Sequence, residues 1–239
     1  MRVLMINSVC GRKSTGRICA DLASRFAEKG HEVKIAYGMG PVPSQFNHFA
    51  VQIDSYFDIR IHGLRSRLSD GDGLGSYYAT KKFLKWVDLF KPDVIHLHNI
   101  HGYYINAPLL FDYIKKNKIK TIWTLHDMWS FTGHGCTCES KKCDKWKVGC
   151  DSCPAINDYP KSYVDKSNRN YKWKKEAFTS IDDLTLVAPS KWLANLVMAS
   201  FFNDNRIEVI YNGIDLQRFK PTDNRIKKDF LISSNWHKR

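Results

Sequence analysis

Residues 1–37 begin Met1-Arg2-Val3-Leu4-Met5-Ile6-Asn7 and continue Ser8-Val9-Cys10-Gly11-Arg12-Lys13-Ser14-Thr15-Gly16. Next comes Arg17-Ile18-Cys19-Ala20-Asp21-Leu22-Ala23-Ser24-Arg25-Phe26-Ala27-Glu28-Lys29-Gly30 and, after His31, Glu32-Val33-Lys34-Ile35-Ala36-Tyr37. The first run is short and apolar, as a buried strand is. Ser14-Thr15-Gly16 then opens a helical pattern: Ile18, Leu22 and Phe26 recur every four residues, with Cys19, Ala23 and Ala27 beside them on the same face. Gly30 closes that helix, and 32–37 reads as the next strand. A β-α-β unit within 37 residues predicts a parallel, doubly wound, Rossmann-like α/β sheet.

Outward from this unit the alternation continues. A strand is expected at 50–53 and a flexible loop at Asp70-Gly71-Asp72-Gly73-Leu74-Gly75. A helix follows at 77–90, ended by Lys91-Pro92, and then a buried strand at Val94-Ile95-His96-Leu97. Further expectations are a helix near 108–116, a strand at 121–125, a long irregular insert, a helix at 171–180, a strand at 184–188, a helix at 191–200 and a strand at 207–210. After Phe219-Lys220-Pro221, residues 229–233 resemble a new strand starting.

The chain has 239 residues, 43% of them hydrophobic and 13% aromatic, which is ample for a core and rules out wholesale disorder. No apolar run approaches the length of a membrane-spanning helix. The N-terminus lacks the long apolar stretch of a secretory signal. The net charge of +13 points to anionic company: nucleic acid, an anionic membrane face or a phosphorylated substrate.

In open parallel sheets ligands bind beyond the carboxyl ends of the strands, and several polar clusters fall there. Thr15 and Gly16 enter the first helix, where backbone N–H groups hold a phosphate or simply form an N-cap turn. His96-Leu97-His98-Asn99-Ile100-His101-Gly102 puts His96 and His98 on one face, as pocket lining or, for His96, as a satisfied core histidine. Thr124-Leu125-His126-Asp127-Met128-Trp129 ends another strand. A histidine beside an aspartate there is placed to take a proton or bond a sugar, or else is a buried histidine orienting the loop. Ser190 reads first as the N-cap of the helix that follows it.

Five of the seven cysteines crowd together: Cys136, Cys138, Cys143, Cys150 and Cys153. The CxxC at 150–153 supplies half of a tetrahedral thiolate site; Cys143 and one of Cys136 or Cys138 complete it, with His134 a spare candidate. Structural zinc, a disulfide or free thiols are the alternatives, and an odd cysteine total without a signal peptide fits a reducing cytoplasm. Residues 115–175 hold 14 basic and 6 acidic residues, interleaved with Trp129, Trp146, Trp173, Tyr159, Tyr163 and Tyr171. Such a surface stacks bases, lies at a lipid headgroup layer or is merely solvated. One alternative is therefore a non-enzymatic basic zinc-binding module that binds nucleic acid or membrane, although no nucleic-acid-binding signature is present. A dehydrogenase needs GxGxxG, which is missing.

Together, 124–134, 143–154, Asp158-Tyr159-Pro160-Lys161-Ser162, Ala188-Pro189-Ser190-Lys191-Trp192-Leu193 and Tyr211-Asn212-Gly213-Ile214-Asp215 resemble a known pattern. The chain is similar to the N-terminal half of GT-B-fold glycosyltransferases of family 4, near the bacterial exopolysaccharide (colanic-acid-type) branch. The resemblance implies two Rossmann-like domains facing a cleft, here an acceptor-binding domain at 1–220 with an irregular Cys/Lys-rich insert at about 129–166. Residues 221–239 would be a linker and the truncated start of the donor domain. It implies retaining transfer from a nucleotide-sugar to a glycan or lipid-linked acceptor, with no catalytic metal, and a chain inactive without its donor half. Thr15 and Gly16 would face the donor phosphates, His126 the transferred sugar, and His98, Asn99, Asp127 and Ser190 the substrate. The expected setting is cytoplasmic, peripheral at the inner membrane face in contact with anionic lipid, with no nucleic-acid partner.

Overall fold

The computed structural model describes residues 1–214 together with Leu216 and Phe219. The strand expected at 229–233, the Lys220-Pro221 break and the segment 221–239 lie outside the described residues.

Seven strands form one sheet: β1 (Arg2–Asn7), β2 (Glu32–Tyr37), β3 (Ala50–Gln52), β4 (Val94–Leu97), β5 (Lys120–Thr124), β6 (Leu184–Ala188) and β7 (Arg206–Val209). Every pairing is parallel and the order is β3-β2-β1-β4-β5-β6-β7. The expected doubly wound sheet is therefore present. β1 is central because both of its faces are apolar: Val3 and Met5 join one core, and Leu4 and Ile6 the other. Burying each of these side chains contributes about 1.5–3 kcal/mol.

The first core is closed by α1 (Lys13–Glu28), whose Cys19, Ala20 and Ala23 are small enough to let the helix lie close on β1 and β2. Gly30, at φ +80°, ends this helix in the left-handed region that favours glycine. Gly16 is required by close approach: a Cβ there would stand 2.8 Å from Val9 Cγ2 and 3.0 Å from the Val9 carbonyl oxygen. In an open helix Gly→Ala stabilises by about 1 kcal/mol. Gly16→Ala is expected to do the opposite and destabilise by about 1–3 kcal/mol, because α1 must lift from the β1 loop. Thermal unfolding checks the sign, and an unchanged or raised Tm would contradict the packing.

The larger core lies on the opposite face under α3 (Tyr77–Phe90), α4 (Ala107–Asn117), α5 (Ser167–Phe178) and α6 (Lys191–Met198). Phe83 and Val87, Leu110, Phe111 and Ile114, then Phe178 and Val197 are among their buried residues. Helix α5 starts earlier than the expected 171, at Ser167.

Two differences from the sequence reading stand out. A helix without a counterpart in that reading, α2, runs Tyr56–Ser69. Its N-cap Ser55 accepts from the Asp58 N–H, but it buries only Ile59, His62 and Ser66, so no apolar stripe announces it. The loop at 70–75 is not a solvated flexible turn either. Asp70 and Asp72 are 2% and 5% exposed; the Asp70 carboxylate binds His134 and the Lys166 N–H of the insert, its carbonyl accepts from Arg169 and Asn170 of α5, and Asp72 accepts from the Gly102 N–H. Gly-Asp composition reads as mobile only when its carboxylates have no partners; here they do.

Candidate functional site

The order of strands reverses between β1 and β4, which is where a parallel sheet opens a crevice at its carboxyl edge. Asn7 closes β1 there and is fully buried. Its side-chain carbonyl accepts from the Asn99 N–H at 3.1 Å, while its amide donates to the Val9 carbonyl at 2.7 Å and reaches the Thr15 hydroxyl at 3.5 Å. One amide thus joins the ends of β1 and β4 to the first turn of α1. Sequence reasoning passed over Asn7, although a polar residue ending an apolar strand is its signal.

Beyond β4 and β5 the histidines gather. His96 is hydrogen-bonded through Nε2 to Thr124 Oγ1 at 2.9 Å and is a satisfied core residue. The His96 and His98 rings lie 4.4 Å apart, on the shared face that their alternation predicts. His98 Nδ1 meets His126 Nε2 at 3.1 Å with the rings stacked, and the His98 carbonyl accepts from the Trp123 indole at 2.9 Å. His101 Nε2 bonds Asp127 Oδ2 at 2.9 Å, and Asp127 Oδ1 accepts from the Trp129 N–H at 2.9 Å. His98, His101, Trp123, His126, Asp127 and Trp129, with Asn99 and Ser130, line one small crevice, and His96 lies behind it in the core.

Of the sequence candidates, the crevice brings together His98, Asn99, His126 and Asp127. Thr15 is connected to them through Asn7, whereas Gly16 packs against Val9. The Ser190 hydroxyl accepts from the Leu193 N–H at 3.1 Å, which is the capping role, on the same carboxyl edge beyond β6. His101 was named only as part of its run; its pairing with Asp127 joins two strands and leaves no local signal.

The electrostatics divide the cluster. Burial holds His96 down to about 4, helped by the charge of His126. Burial, with a contribution from His101, likewise holds His126 down to about 4 against the pull of Asp127. His98 is driven well below the ordinary range by burial and both neighbours. These imidazoles are neutral at pH 7. For His101 burial also acts downward, but the charge and hydrogen bond of Asp127 outweigh it and raise its pKa. Burial acts upward on Asp127, yet the His101 contact and the Trp129 N–H lower it, so this carboxylate stays ionised.

A pH dependence follows. For His96 and His126 the folded values lie below the unfolded one, so their contribution is complete above about pH 6.5 and lost as pH falls toward 4. His101, raised, works the other way and adds stability below neutral pH. Denaturant unfolding is expected to lose about 2–4 kcal/mol between pH 7 and pH 5. A flat profile, or ring NMR signals of His96 or His126 that titrate near 6.5, would contradict the neutral cluster.

The insert closes one side of the crevice and carries three short 3₁₀ turns, Trp129–Phe131, Cys138–Lys141 and Lys145–Lys147. Trp129, Trp146 and Tyr171 are buried in the core, so they are not the exposed stacking surface that the basic segment suggested. Lys174, counted with that basic surface, is 1% exposed; its ammonium donates to the carbonyls of Trp129 and Thr132 at 2.7 and 3.1 Å. No disulfide joins any of the seven cysteines. Cys136 separates from the other four: its sulfur lies within 4.8 Å of a His101 ring nitrogen and an Asp127 oxygen.

The model for Glycosyltransferase Family 4 matches residues 15–218. A curated protein of Escherichia coli (strain K12), WcaC, named as a colanic acid biosynthesis glycosyl transferase, is 26% identical over 230 residues, covering 90% of this chain and 55% of its own length. Among solved structures, the sucrose-phosphate synthase (tll1590) from Thermosynechococcus elongatus aligns with a TM-score of 0.57 at 11% identity, over 95% of this chain and 52% of that one. That second likeness is one of fold. The chain spans about half the length of both.

Proposed function

The chain belongs to glycosyltransferase family 4, and from that premise we propose that it forms the acceptor-binding half of a retaining glycosyltransferase of cell-surface polysaccharide biosynthesis. Its reaction moves a sugar from a nucleotide-sugar to a glycan or lipid-linked acceptor. The observation that carries the reading is the crevice where neutral His126 stands between buried His98 and the His101–Asp127 pair.

The chemistry has three needs: an oxocarbenium-like sugar, a stabilised diphosphate leaving group and an acceptor hydroxyl on the same face. A neutral imidazole suits the first. It exchanges hydrogen bonds with sugar hydroxyls without setting a cation beside a carbon that is becoming positive. Ionised Asp127 adds a negative charge nearby, which favours the same centre. His98 is 1% exposed and acts through His126, fixing its ring. The first turn of α1, joined to the site by Asn7 and Thr15, faces the donor phosphates. No step of this reading calls on a metal.

On this reading the donor is held by a facing domain, so residues 1–239 alone give no turnover. The test is a panel of labelled nucleotide-sugars with membrane-derived lipid-linked acceptors, using the complete enzyme and this chain separately. Label in the acceptor with the complete enzyme only is the expected result; no transfer by the complete enzyme from any donor would overturn the proposal.

A peripheral position at the cytoplasmic membrane face accords with α2, where exposed Tyr56, Phe57, Leu64 and Leu68 stand beside exposed Arg60, Arg65 and Arg67. Among the described residues no helix is long and apolar enough to cross a membrane. Flotation with anionic vesicles should carry the chain upward and weaken as salt rises. Binding to DNA in preference to vesicles at matched salt would favour a nucleic-acid module instead.

A further inference from the structure

We propose that Cys138, Cys143, Cys150 and Cys153 bind one zinc ion as a tetrathiolate, with Cys136 left outside it, and that this ion fixes the insert against the crevice. Spacing alone leaves Cys136 and Cys138 as alternatives for the fourth ligand; the fold separates them. Cys138, Cys143, Cys150 and Cys153 line a single small cavity with Gly133, His134 and Trp146. Cys136 faces the other way, toward His101 and Asp127.

The surroundings are those of a thiolate site. The Gly133 N–H donates to Cys150 Sγ at 3.2 Å, a bond that strengthens when the sulfur is anionic and orients the ligand. Cys143 N–H donates to the Cys138 carbonyl at 3.3 Å, folding one half-site into a tight loop, while Cys150 and Cys153 form the CxxC half. On binding, each thiol releases its proton to solvent and gives a lone pair to the metal. The complex then carries two net negative charges. Lys145 lines the same cavity, with its ammonium paired to Asp151 at 2.7 Å, while Lys141 pairs with Asp158 and Lys147 with Asp144. Four thiolates at such spacing select zinc or iron, and a redox-inert ion suits a segment whose only regular structure is three short turns.

The link to the crevice is short. The Met128 N–H donates to the Cys136 carbonyl at 3.0 Å, directly beside Asp127, and a Cβ on Gly133 would collide with the Ser167 carbonyl at the start of α5. Holding the cavity closed therefore holds Trp129 and Asp127 in place. His101, Asp127 and Cys136 are the competing trio: their ligand atoms lie within 4.8 Å of one another, which no three of the four cavity sulfurs do among the described residues, so the ion must draw those sulfurs together as it binds. The hydrogen bond between His101 and Asp127 accounts for that convergence without a metal.

The experiment is metal analysis of the full chain after purification, for the unsubstituted protein and for C136S, C138S, C150S and C153S. About one equivalent of zinc per chain is expected in the unsubstituted protein and in C136S, with none in the other three. Cobalt(II) exchanged into the unsubstituted chain should give intense thiolate-to-metal charge-transfer absorption, a reading that does not depend on how the variants fold. A folded chain with no metal, iron in place of zinc, zinc lost in C136S but kept in C138S, or a cobalt spectrum without that absorption would each overturn the proposal. Zinc content and sugar transfer are separate readings, so a metal-free but active enzyme would refute the zinc site and leave the proposed function standing.

Discussion

Replacing His126 by alanine is expected to cut the sugar-transfer rate of the complete enzyme by about 10²–10⁴-fold, with a much smaller change in the acceptor KM. His126 is the half-buried member of a stack whose other members, His96 and His98, are in the core. Its Nε2 is committed to His98, which leaves Nδ1 for a substrate hydroxyl. The loss falls on kcat because the bond strengthens as charge develops in the transition state. His126→Gln keeps a neutral hydrogen-bonding group and should recover part of the rate. Circular dichroism checks that both variants fold. A kcat within about threefold of the unsubstituted enzyme would remove His126 from the chemistry.

The second large effect concerns stability. Lys174→Ala should destabilise the chain by about 3–5 kcal/mol, lowering Tm by about 10 °C. The Lys174 ammonium stands 3.7 Å from the centre of the Trp129 ring and donates to two carbonyls of the insert. Removing it leaves two buried acceptors without a donor and a gap between α5 and the turn Trp129–Phe131. Lys174→Met restores the volume but not the bonds, and should recover only the packing part. Calorimetry measures both. A Tm shift of only a degree or two in the alanine variant would mean that water reaches those carbonyls and that the insert is not anchored there.

These two side chains mark what a sequence reveals and what it hides. The sheet was legible because its strands are apolar on both faces and its helices keep a four-residue period: Ile18, Leu22 and Phe26 pointed to α1 before any coordinates. His126, at the carboxyl end of a strand beside an aspartate, was legible for the same reason. Helix α2 was not, because it leaves Leu64 and Leu68 in solvent and buries a histidine and a serine. Nor did composition reveal the partners of Asp70 and Asp72, since carboxylates among glycines look solvated until distant segments supply donors. Lys174 looked like one more surface lysine, and only the fold over it shows otherwise. The pairing of His101 with Asp127 and the separation of Cys136 from its four neighbours depend on where the insert folds back, which no local spacing encodes.

The crevice at the carboxyl edge is the central claim, and photo-crosslinking tests it most directly. The complete enzyme is irradiated with a substrate carrying a diazirine on the transferred sugar, and the adducts are mapped by mass spectrometry. The expected adducts fall within residues 98–101 and 126–130. Adducts confined to the opposite edge of the sheet, such as residues 117–119 after α4, would contradict it.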